Sequence, residues 1–144
     1  MSRKEQNTLI NPLFEFALKM LAEHGDFYPF AAVLTKDGEV RLVAGATGSD
    51  RPKASGVIAV LEKGLRAGIL KEGHRAAGLC ISVRISHPRI GKDADAVLAR
   101  IEDADGEAVN VYLPYTRDAG GALRTGEPVG EKGTRRLYPL GPGT

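Results

Sequence analysis

Apolar residues recur along this chain with two periods, and the switches between them divide it into elements. In "INPLFEFALKMLAEHGD", Leu13, Phe14, Ala17, Met20 and Leu21 return every three or four positions, the spacing that lays one stripe along a helix. Asn11 is placed to cap that helix, Pro12 suits its first turn, and Gly25 follows the last turn as a stop. The pattern predicts a helix from Asn11 and a frayed segment over residues 1–10. Beyond it, "FYPFAAVL" and "EVRLVAG" read as two strands joined through Lys36-Asp37-Gly38, with Asp-Gly taking positive φ at both central positions of a tight turn. Pro29 lacks an N–H and belongs at the strand's beginning.

The helical period returns from about Pro52 to Lys71, with Ser49 or Asp50 as the expected cap. Val57, Leu61, Gly64, Leu65 and Gly68 fall together on the wheel, while Glu62, Lys63 and Arg66 face away. The two glycines predict close packing of this helix on the protein's own sheet. "RAAGLCISVRI" then alternates, placing Ala77, Leu79, Ile81, Val83 and Ile85 on one face. The other face carries Ala76, Gly78, Cys80 and Ser82, small enough to admit the first helix closely. "DAVLARIED" and "EAVNVYLPY" repeat the hairpin logic around Asp105-Gly106, with Val109, Val111, Leu113 and Tyr115 sharing a face. From Thr116 no period persists and Gly and Pro are dense, so residues 117–144 read as an irregular segment, with an edge hairpin ending at "RRLYPL" as its candidate for order.

The expected architecture is one α+β domain over residues 11–116, in the order α-β-β-α-β-β-β. Its antiparallel sheet has five strands, or six if the C-terminal segment adds one, and it carries two helices. That order resembles the profilin, longin and roadblock group of folds over roughly residues 10 to 116, without the closing helix those families carry. The resemblance implies scaffolding, signalling and small-molecule roles alike and selects none of them.

Composition narrows the classes. A chain of 144 residues, 42% hydrophobic and 26% charged, has the balance of a globular protein. Its net charge of +2 comes from 20 basic and 18 acidic residues that are interspersed, so no nucleic-acid-binding face is expected. No apolar run suits a membrane span, and "MSRKEQNTLI" lacks a signal-peptide stretch. Cys80 stands alone, which excludes an internal disulfide and fits a reducing cytoplasm. The excess of Arg over Lys, with abundant Ala and Gly, suggests a bacterial origin.

Chemistry is sparse in the local sequence. "DADG" invites calcium, but setting Gly106 at position six of an EF-hand loop puts Ile101 at one and Tyr112 at twelve, where oxygens are required. The acidic run Glu102, Asp103, Asp105 and Glu107 therefore reads as a solvated hairpin tip. His24, His74 and His87 share no ligand spacing, so no metal or cofactor is expected. Cys80 sits mid-strand among apolar neighbours as an inert thiol, and no nucleophile motif is present, which gives no catalytic residue. Two readings remain. The favoured one is a non-catalytic protein-interaction or adaptor domain of a bacterial cytoplasmic protein. It would act on a partner or on itself through Tyr112, Tyr115 and an exposed sheet edge. The alternative is a small-molecule or anion-binding domain with Arg51, Lys53 and Ser55 at the start of the second helix, where backbone N–H groups and the dipole favour an anion.

Overall fold

The computed structural model describes residues 3–45 and 53–138. Its elements follow as α1 (Arg3–His24), β1 (Phe30–Leu34), β2 (Val40–Ala44), α2 (Ala54–Glu72), β3 (Ala76–His87), β4 (Gly91–Asp103), β5 (Ala108–Arg117), β6 (Leu123–Thr125) and β7 (Val129–Lys132). The α+β class, the two helices and the antiparallel sheet match the sequence pattern, and the strand order is β2-β1-β3-β4-β5-β6 with β7 also on β5. Among the described residues the sheet has seven strands, and the region read as irregular supplies two. Tyr115 pairs with Thr125 and Tyr112 with Val129, so between these pairs three residues of the returning chain face two of β5. β6 and β7 are thus one partner strand whose register slips across Gly126–Pro128, a bulge at a proline that has no N–H to donate.

Three hairpins share one loop. Thr35, Asp103 and Asp118 each donate their N–H to the carbonyl four residues on, at 2.8, 3.0 and 2.9 Å. In each, a glycine closes a three-residue loop with positive φ: Gly38 at 91°, Gly106 at 100° and Gly121 at 85°. Asp37 and Asp105 do not take positive φ. The turns are therefore the three-residue form with a bulged glycine, not the two-residue form that the Asp-Gly pairs suggest. A side-chain oxygen of the first residue braces each loop: Thr35 Oγ1 accepts from Glu39 N, Asp103 Oδ1 from Asp105 and Glu107 N, and Asp118 Oδ1 from Gly120 and Ala122 N.

The two helices cover opposite faces. On one, Leu9, Leu13, Phe14, Ala17 and Leu21 of α1 pack on Phe30, Ala32, Leu34, Ala76, Cys80, Val97, Ala99, Val111 and Leu113. The small face of β3 admits α1 closely: a Cβ at Gly78 would lie 3.0 Å from Ile101 Cγ1 and 3.3 Å from Leu13 Cδ1. On the other face Val57, Leu61, Leu65 and Ile69 of α2 pack on Ala31, Val33, Ala77, Leu79 and Ile81, with Leu137 and Tyr138 completing the cluster.

Several expectations need correction. α1 begins at Arg3, so residues 3–10 are not a frayed end and Asn11 is not the cap. Leu9 is fully buried, and Gln6 Nε2 donates to Asp103 Oδ2 at 3.2 Å, which fastens the extra turns to the β4–β5 loop and outweighs the bond lost at Pro12. Asp103 is 1% exposed and Glu102 4%, so the acidic run is not a solvated tip; its first two members are buried anchors. The helical wheel of α2 also turns further than the pattern suggests. Glu62 is buried, and Gly64 is exposed, with nothing within 4 Å of a Cβ built there. Lys53 occupies the N-cap of α2 without a side-chain cap bond, while Ser49 and Asp50 lie outside the described residues.

Candidate functional site

The long β3–β4 pair outruns its neighbours. β1 pairs with β3 only up to Cys80, and the β4–β5 ladder ends at Ala96–Pro114, leaving residues 82–87 and 91–95 as a two-stranded arm. Among the described residues neither outer edge of this arm carries a strand. Where β4 and β5 part they form a fork, a cleft of about 600 Å³ lined by Lys92, Asp93, Asp95, Tyr115, Arg117 and Arg124 among others. Pro114 O accepts Gly126 N–H at 2.8 Å on the outer edge of β5. Backbone groups alternate sides along a strand, so the N–H and C=O of Tyr115, and those of Asp95 opposite, turn into the fork.

Side chains from four elements meet at this end of the sheet. Tyr115 reaches across β4, with its phenol in hydrogen-bonding reach of Ser82 on β3. Burial is the main reason that its pKa lies above the usual phenol value, with Asp95 and Asp26 adding to the rise while Ser82 and Arg117 oppose it. Arg117 Nη2 donates to Leu21 O at 3.3 Å and Gly25 O at 3.1 Å, closing the C-terminus of α1. Beyond Ser82 lies a second cavity of about 620 Å³ lined by Met20, His24, Asp26, Phe27, Tyr28, Pro29, Ala54 and Ser82. Its walls combine apolar surface with a few polar groups, and Ala54 is the first residue of α2. No hydrogen bond joins His24, Asp26 and Ser82 to one another among the described residues.

The arm's tip turns back over the sheet. The His87 ring centroid lies 5.8 Å from that of Tyr112, and His87 Nε2 is 3.6 Å from Glu131 Oε2. His87 Nδ1 accepts Arg89 N–H at 3.1 Å. Burial and a hydrogen bond to Glu131 hold the Tyr112 pKa above its usual value. Tyr112 thus helps secure the arm, while Tyr115 lines the fork.

Of the residues proposed around the start of α2, Arg51 lies outside the described residues, Lys53 and Ser55 are exposed, and Ala54 between them lines the larger cavity. Ser82, Asp95 and Arg117 stand apart in the sequence without a shared local signal, because their meeting depends on the strand register and on the fork. Asp118-Ala-Gly-Gly, a turn signal downstream of Arg117, was the one local hint that β5 acquires a new partner. Cys80 is fully buried, with its Sγ 3.8 Å from Leu13 O, and burial raises its thiol pKa far out of the reactive range. Among the described residues no three His, Cys, Asp or Glu side chains are grouped to hold a metal, and no helix is long and apolar enough to cross a membrane. No protein-family model, curated protein or solved structure matches the chain, so the resemblance to the profilin and roadblock group gains no structural counterpart.

Proposed function

We propose that this chain is a non-catalytic protein-interaction domain that takes an extended segment of a partner protein into the fork between β4 and β5. The observation that carries the reading is the early end of the β4–β5 ladder, which leaves backbone donors and acceptors of Asp95 and Tyr115 facing a cleft of about 600 Å³. Tyr115 offers the partner an aromatic surface, and Lys92, Asp93 and Asp95 on β4 with Arg117 and Arg124 across the fork put charges of both signs at the rim. The reading places the protein in a reducing cytoplasm, in keeping with its buried single thiol.

Asp95→Pro removes an N–H that points into the fork and leaves the alternate bonds to β3 in place, whereas Asp95→Ala removes only the carboxylate. Proteins captured by the wild type and by Asp95→Ala, but lost with Asp95→Pro, together with slowed amide exchange at residues 91–95 in the complex, support the reading. Equal capture by all three chains, or unchanged exchange in the arm, overturns it.

The cavity beside Ala54 favours a second reading, a small-molecule site at the start of α2. A screen of nucleotides, sugar phosphates and carboxylates should then yield a compound that raises the melting temperature by mass action, with the rise lost in Tyr28→Ala. Tyr28 is 57% exposed, so its removal should leave the fold intact. A screen without any such compound removes this second reading.

A further inference from the structure

α2 covers β1 and β3 on its face of the sheet but leaves β4, β5 and β7 to be covered by the chain after β7. On that surface Arg100 of β4 and Asn110 of β5 are direct cross-strand partners, and Thr134 and Arg136 arrive from the returning chain. The four residues line a concavity of about 170 Å³. A water molecule's share of volume is about 30 Å³, so the space holds a small ion with part of its hydration, or several waters.

Hydrogen-bonding capacity around this concavity is lopsided. Every nearby carboxylate is already engaged. Glu62 receives Arg100 Nη2 at 2.7 Å and lies 3.7 Å from Arg66 Nη2. Glu102 accepts the backbone N–H groups of Arg136, Leu137 and Tyr138 at 2.8–3.2 Å. Glu131 is taken by Tyr112 and His87. Donors, in contrast, are left over. The Arg136 guanidinium, the Asn110 amide and the Thr134 hydroxyl have no partner among the described residues, and Arg100 commits only one of its N–H groups there. Arg136 is held in place through its backbone, since its N–H binds Glu102 and its carbonyl accepts Arg66 Nε at 2.8 Å.

From this imbalance we infer that the concavity binds a tetrahedral oxyanion of the phosphate class, with Arg136 and Arg100 supplying charged donors and Asn110 and Thr134 neutral ones. Two guanidinium forks and two short polar groups suit several oxygens on one centre. The carboxylates close by oppose the ligand's charge, so binding is weak and weakens further with salt. This site is separate from the fork and does not depend on the proposed partner.

The test is a titration of the ¹⁵N-labelled full chain with inorganic phosphate and, in parallel, with glycerol phosphate. Saturable shifts of the Asn110 side-chain amide and of the Thr134 and Arg136 backbone amides are expected. Arg136→Ala should weaken binding about tenfold, the usual worth of one charge-assisted hydrogen bond, without lowering the melting temperature in phosphate-free buffer. Arg41→Ala, on a distant strand, should change neither. Response to phosphate alone points to the free ion, and response to the ester as well points to a phosphoryl group on a larger molecule. Non-saturating shifts, or equal affinity in wild type and Arg136→Ala, overturn the site. Should Arg136→Ala lose stability, Thr134→Val gives the same comparison with a smaller expected loss.

Discussion

On the α1 side of the sheet the seal is apolar and made by one helix: Leu9, Leu13, Phe14, Ala17 and Leu21 lie over small residues of β3 and β4. On the other side α2 covers only part of the surface. The remainder is closed by buried ionic and polar anchors, Glu62 with Arg100, and Glu102 with the three amides at residues 136–138. The first seal draws on hydrophobic burial, which needs only the right stripe and the right size. The second draws on paired polar groups, each of which becomes costly once its partner is gone.

That contrast can be broken by mutation. The largest effect is expected from Leu13→Ala, which opens a cavity against Gly78 and Ile101 and should cost about 3 kcal/mol or more in denaturant unfolding. Next comes Glu102→Ala, expected to cost about 2–3 kcal/mol because buried amides lose their acceptor, with Glu102→Gln intermediate. If Glu102→Ala unfolds at the wild-type midpoint, the polar seal contributes nothing and the two sides do not differ as described.

Smaller effects sharpen the contrast. Tyr138 donates its hydroxyl to His74 O at 2.7 Å, so Tyr138→Phe should cost about 1 kcal/mol at neutral pH. Burial, then Asp103, Glu102 and Glu5, raise the phenol's folded pKa. The unfolded chain therefore loses its proton first, at about pH 10. Wild-type stability then falls as pH rises above that value while the variant is spared, so the gap between them narrows in alkaline melts. An unchanged gap would show that the hydroxyl is not buried. Least of all, Gly64→Ala on the exposed side of α2 should stabilise by about 0.5–1 kcal/mol, because a helical glycine is replaced where nothing crowds the new methyl. A loss of stability there would mean that this side is packed against something in solution.

The same contrast explains what the sequence made legible. Periodicity carried the α1 side almost whole, since the alternation of Ala76, Gly78 and Cys80 against the stripe of Leu13, Ala17 and Leu21 is a local signal. Two things hid the rest of α1: Pro12 imitates a helix start, and the tie between Gln6 and Asp103 spans the length of the domain. Glu62 and Glu102 look like surface carboxylates because their partners, Arg100 and the amides of residues 136–138, come from distant parts of the chain. β6 and β7 escaped because each is short and the register slips between them. Of the candidate sites, Tyr115 was visible as an aromatic near a strand end, but the fork it lines is a product of register alone.

Glu102 grips amide hydrogens, and every residue except proline supplies one. Position 136 could therefore change its side chain while the strap keeps its course across the sheet. Whatever chemistry that surface offers to its surroundings can be rewritten one codon at a time, with the scaffold left standing.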